Sequence, residues 1–138
     1  MFQQKFNVMQ RLTKQINWWL CLLSGIGLLF IGARFFFDPV GAEIAFGIST
    51  PTNGDFSFHH IKGVRDFFFG FIILLLLLKK EFRILGYILL AGTIIPASDF
   101  ITVLSYQGQI TGYLYAHLIA AIICAGCGLY YNRSATQH

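Results

Sequence analysis

Five residues carry most of the chemistry this sequence could perform. Arg34, Arg65, Asp66, Asp99 and His117 each lie inside, or at the edge of, a stretch made otherwise of apolar residues. An ionisable side chain in such a stretch is costly and is a functional candidate by default. Asp99 and His117 supply a carboxylate and an imidazole, the usual pair for general acid–base work. Arg34 and Arg65 supply donors for an anionic or carbonyl oxygen. Two other uses compete. The arginines and aspartates can neutralise one another as interhelical salt bridges that fix packing and need no ligand. Arg34, Lys62 and Arg65 can instead extend along apolar surface until their heads reach water.

Three further motifs carry less. Cys124 and Cys127 have redox spacing, with Cys21 at a similar depth, but a thiol in apolar surroundings with no neighbouring base is inert. The pair His59-His60 has Glu43 and Asp55 near it in sequence, yet nothing fixes a third ligand, so no metal is expected. Pro96 removes one helical hydrogen bond and frees the carbonyl of Gly92, two turns from Asp99, which reads first as a packing kink.

The elements that must position these groups follow from composition. Of 138 residues, 56% are hydrophobic and 12% charged, about half the charged fraction of a soluble domain. A soluble chain of this size would expose large apolar patches; a bilayer removes the problem. Four apolar runs are read as helices, over about 18–37, 61–78, 84–106 and 113–131. A short interfacial segment covers about 39–48, and the whole of 1–138 is read as one membrane domain. The second run is the informative one. Between Asp66 and Lys79 it holds twelve residues, roughly 18 Å of helix, against a hydrocarbon core of about 30 Å. To span, it must draw Lys62, Arg65 and Asp66 toward or below the interface. A basic N-terminus before residues 18–33, with Ile31-Gly32-Ala33 as a weak cleavage signal, also admits a signal peptide; the run continues through Phe37, so an uncleaved helix is expected.

Of the ten Lys and Arg, seven (Lys5, Arg11, Lys14, Lys79, Lys80, Arg83 and Arg133) fall on one side of this arrangement, whereas every acidic residue except Glu81 falls on the other half. The positive-inside rule makes the first side cytoplasmic, and an even number of spans leaves both termini there. The net charge of +4 is then topology and contact with anionic lipid, and no nucleic-acid partner is expected. Alternating helix direction brings Arg34, Arg65, Asp66, Asp99 and His117 to one outer level. Helical spacing puts each on a small-residue face: Arg34 with Gly27 and Ser24, Asp66 with Gly70, Asp99 with Gly92 and Pro96, and His117 with Ala120 and Cys124. The charges therefore point into the bundle.

The elements Gly32-Ala33-Arg34-Phe35 with Asp38-Pro39, Lys62-Gly63-Val64-Arg65-Asp66, Pro96-Ala97-Ser98-Asp99 and His117 resemble an uncharacterised family of small four-helix membrane proteins, similar to the DoxX-like group. The resemblance covers about residues 25–130 and implies a four-helix bundle. Some DoxX-like relatives are linked to thiosulfate or quinone oxidation, which makes a quinone the cofactor implied by analogy alone. The expectation is an all-α, four-span membrane bundle. It would bind a lipid-like, isoprenoid or quinone-type molecule at Arg34, Arg65, Asp66, Asp99 and His117 in an outer-leaflet pocket. The alternatives are a membrane enzyme (isomerase, hydratase or quinone-linked oxidoreductase) using Asp99 and His117, or a non-catalytic accessory subunit. Homo-oligomer or larger membrane complex stays open.

Overall fold

The computed structural model describes residues 1–135. Its elements are α1 (Phe2–Phe37), α2 (Pro39–Phe46), α3 (Ser57–Leu78), α4 (Phe82–Gly92), α5 (Ile94–Gln107) and α6 (Gly112–Ala135), and the described residues contain no strand. Three helices among them are long and apolar enough to cross a membrane: α1, the continuous α4–α5 unit, and α6, with mean hydropathies of 2.1, 1.8 and 1.7. Their flanks expose Leu23, Phe30, Ile101 and Ile122, surface that only lipid covers comfortably. The chain is a membrane protein. The 22-residue α3 carries Lys62, Arg65 and Asp66 in its first half and does not meet that standard of apolarity.

Two elements differ from the expected bounds. Helix α1 begins at Phe2 rather than near residue 18, because the polar stretch before Trp18 contains neither Gly nor Pro and continues the same ladder. The run expected as one helix over 84–106 is broken at Thr93. Pro96 cannot donate to the carbonyl of Gly92. At the break the Thr93 N–H is shared between the carbonyls of Leu89 and Leu90 (3.0 and 3.3 Å), and its hydroxyl also donates to Leu89. At the C-terminal end of α1, Asp38 closes one helix and opens the next. Its backbone N–H donates to the Arg34 carbonyl, its side chain accepts from the Gly41 N–H at 3.1 Å, and Pro39 takes the first position of α2, where a missing N–H costs nothing.

The helices associate as two pairs, α1 with α3 and α4–α5 with α6. In the first pair Gly25 and Gly32 face Gly63 and Gly70, each set seven residues apart, so the backbones nearly touch. A Cβ on Gly70 would sit 2.6 Å from the Gly25 carbonyl oxygen, and one on Gly32 would sit 2.7 Å from that of Gly63. Small residues of this kind let helices approach in lipid, where no hydrophobic force drives them together. Gly70→Val should therefore force the pair apart and cost about 3 kcal/mol. The check is the thermal midpoint in detergent, with Gly126→Val, where a Cβ meets nothing within 4 Å, as an unaffected control.

The two pairs meet in a tight core of Cys21, Ile73, Leu77, Leu85, Leu89, Cys127 and Tyr131, near the turn at Lys79–Glu81. Away from that turn they separate.

Candidate functional site

Helix α3 buries one stripe: His59, Gly63, Asp66, Gly70, Ile73 and Leu77. This is the period of a single helix face, and it places a carboxylate where apolar residues would otherwise be. Asp66 is satisfied from its own helix. Lys62 Nζ lies 2.8 Å from Oδ2, one turn earlier, and Arg65 Nε lies 3.0 Å from Oδ1. Both cations then reach across to α5, Arg65 at 3.1 Å and Lys62 at 3.6 Å from Asp99 Oδ2. Two cations and two carboxylates thus form one closed network joining the helix pairs. Lys62 also stands over the faces of Phe46 and Phe35, 4.1 and 5.0 Å from their centroids, an attraction that strengthens out of water.

The expected site residues do not all join this network. Asp66, Asp99 and Arg65 do. Arg34 pairs instead with Asp38, at 3.0 Å and one turn away on an exposed edge, so its partner comes from its own helix end. That pairing holds the Asp38 carboxyl below its usual range, with help from the Gly41 N–H. His117 makes no hydrogen bond to Asp99 among the described residues; its Nε2 lies 3.1 Å from the Phe46 carbonyl oxygen, and its ring packs edge-on against Phe46 at 4.5 Å. A carbonyl only accepts, so Nε2 carries a proton. In the neutral ring, Nδ1 is then an acceptor.

What these residues share is a cavity of about 420 Å³ between the two helix pairs. Its polar end is made by Arg34, Lys62, Asp66, Asp99 and His117; Arg65 lies behind, holding the carboxylates. The remaining wall is almost entirely apolar, contributed by Leu28, Phe69, Ile73, Leu89, Ile95 and Ile123 among others. On α1 the lining runs from Ser24 to Phe35, about 16 Å along the helix. The volume is that of a ligand pocket for a small molecule.

A second polar group forms from Glu43 and His59, which the sequence places near each other without fixing their contact. Glu43 on α2 and His59 on α3 are both buried, and Glu43 Oε2 meets His59 Nε2 at 3.2 Å. Glu43 Oε1 accepts from the Thr50 N–H at 2.7 Å and from its hydroxyl. Burial alone would push the Glu43 carboxyl up; the bonds from Thr50 and His59 outweigh it and hold the group below its usual range. From the other side Gln107 donates to the Gly47 carbonyl at 2.7 Å and Tyr106 to that of Ser49. Gly47 itself sits at φ +97°, a backbone open to glycine, and ends α2 tightly enough for the chain to turn back. Helix α2 is therefore clamped over the polar end of the cavity, with Ala42, Ala45 and Phe46 facing it. A glutamate sixteen positions from its histidine across a loop leaves no periodic signal. The Lys62–Asp66 and Arg34–Asp38 pairs did leave one, the i,i+4 spacing.

His60 diverges from His59 and stacks on Phe36 at 5.2 Å. Among the described residues no group of three or more His, Cys, Asp or Glu could hold a metal ion. The three cysteines are free thiols: Cys21 and Cys127 lie in the core, and Cys124 lines the cavity.

Residues 25–131 match the family described as Domain of unknown function (DUF4267). No curated protein and no solved structure matches the chain. The match spans most of the molecule, from the first close-packed glycine of α1 to the last core residue of α6, and the chain belongs to that family.

Proposed function

We propose that this member of the DUF4267 family binds a small amphipathic molecule of lipid, isoprenoid or quinone type, with its tail in the cavity and its head among Arg34, Lys62, Asp66, Asp99 and His117. One observation carries the reading: the cavity has apolar walls and a single polar end. A packing network alone has no need of such a space, and cavities left by chance in membrane proteins lose dispersion contacts on every wall. The reading includes α3 as a fourth span, making a four-helix bundle with the network in the outer leaflet and both termini in the cytoplasm. The charges on α3 support this, since the network neutralises them where a bare span would not tolerate them. The likeness to DoxX-like proteins is part of the same proposal, with a quinone as one occupant of suitable shape.

A catalytic reading is favoured by one specific feature. Asp99 and His117 border the same space from α5 and α6, so a bound head could exchange a proton with both without their touching. An isomerase, a hydratase or a quinone-linked oxidoreductase fits that arrangement. Asp99→Asn and His117→Gln distinguish these uses from packing. His117→Gln should keep the melting temperature within a few degrees, whereas Asp99→Asn, which leaves Lys62 and Arg65 facing Asp66 alone, should lower it. Both should weaken ligand binding by roughly tenfold, the worth of one lost hydrogen bond to a charged or aligned group. Binding is read by tryptophan fluorescence in detergent. Equal losses of stability and binding in both variants would leave only the packing role.

A further inference from the structure

The cavity is unsealed on the flank between α1 and α6, and its polar end has no spare charge. On the flank between α3 and α4–α5, the Phe69 ring lies 3.1 Å from where a Cβ on Gly92 would be, and Arg65 bridges to Asp99 above it. The inner end is filled by the core around Cys21 and Cys127. The outer end is covered by α2, seated on His117 through the Phe46 carbonyl. The flank between α1 and α6 differs. There the lining residues Ile31 of α1 and Ile119 of α6 are 42% and 55% exposed, and Ala116 and Ala120 beside them are exposed as well. Ile31 lies ten residues above Cys21, and Ile119 eight above Cys127. That puts the two side chains at similar heights, about 12–15 Å from the core. A wall residue that also belongs to the outer surface marks a mouth, and this one faces the lipid side of two apolar helices.

The charges at the polar end pair off. Arg34, Lys62 and Arg65 stand against Asp38, Asp66 and Asp99, each engaged at 3.6 Å or less. An anionic head would find no unpaired cation and a cationic head no unpaired carboxylate, so either would bring an uncompensated charge into apolar surroundings. A hydroxyl has what it needs: with Nε2 directed at the Phe46 carbonyl, the other ring nitrogen of His117 is left to bond it, and the carboxylate oxygens and unused guanidinium N–H groups offer further bonds. We infer that, within the pocket reading above on which this rests, the ligand is a single-chain lipid with an uncharged hydroxyl head that slides in sideways from the outer leaflet between α1 and α6.

The test uses the full chain in phosphatidylcholine vesicles and two fluorescent polyene probes of equal length, parinaryl alcohol and parinaric acid, at pH 8. The alcohol should bind at least about tenfold more tightly than the carboxylate. Ala116→Trp and Ala120→Trp place bulk at the mouth, on positions that line the cavity and are also exposed. Each should slow association of the alcohol by roughly tenfold. Unchanged rates in both rim variants, or equal binding of the acid, would overturn the route or the head assignment respectively. The pocket reading itself fails on a separate result, namely alcohol binding that survives Gly27→Phe, a substitution that fills the interior and leaves the rim alone.

Discussion

Gly27→Phe should abolish ligand binding and leave the protein at least as stable as before. Gly27 lies on the stretch of α1 that lines the cavity, and a Cβ there meets nothing within 4 Å. A larger side chain thus grows into empty space, unlike one at Gly25, Gly32 or Gly70, where it would strike Leu74 or the facing backbone. Replacing a helical glycine with phenylalanine also gains about half a kcal/mol in helix propensity. A benzyl group buried against Leu28, Phe69 and Ile123 adds apolar contact that the open cavity lacks. Affinity for any amphiphile should fall by about a hundredfold or more, because tail and ring compete for one volume. The measurement is a paired one on the same sample, thermal unfolding in detergent and probe fluorescence. A loss of binding that came with a loss of stability would reduce the cavity to a by-product of packing.

Asp66→Asn should have the opposite profile, a large loss of stability. Asp66 is the most buried member of the network and the only one bonded to both Lys62 and Arg65 within its own helix. Removing its charge leaves two cations facing the single carboxylate of Asp99. An ion pair broken from one side costs about 3–5 kcal/mol, chiefly through the charge left unpaired; partial exposure of Arg65 and Lys62 places the expected value near the lower end, about 3 kcal/mol. The sign of the second step is the stronger check. Lys62→Met in the Asp66→Asn background restores neutrality against Asp99 and should return part of the loss. The double variant should therefore be more stable than the sum of the single changes by about 1 kcal/mol or more. Additive losses would mean that Lys62 and Asp66 do not act as a pair.

The sequence makes much of this arrangement legible, and the reasons are physical. A twelve-residue apolar run cannot span a bilayer, and that shortfall alone drew Lys62, Arg65 and Asp66 inward. Small residues four positions from Asp66 and seven and ten from Arg34 gave the inward faces, and Ser24, Gly27 and Arg34 do share the cavity wall. The choice of partner was less legible. Arg34 reaches Asp38 at its own helix end because a local pair costs less side-chain entropy than a long reach across the bundle. Lys62, for which snorkelling toward water is a competing reading of the sequence, turns inward onto Asp66 and Phe46. The seat of His117 is a backbone carbonyl, and the bond from Glu43 to His59 depends on how a loop returns. Neither has any periodicity to find, since both arise from the packing of α2 across the outer end. The break at Thr93 lies between the two cases. Pro96 announces a missing hydrogen bond, but how the neighbouring groups rearrange around it is settled only by packing.

The central claim is that the polar network and the apolar cavity form one site occupied by a single amphiphile. Native mass spectrometry of the protein ejected from lipid nanodiscs addresses it most directly. The account predicts one retained molecule per chain, of uncharged head and single tail, that is missing from the Gly27→Phe variant. A bare wild-type chain, or a retained lipid equally present in that variant, would contradict it.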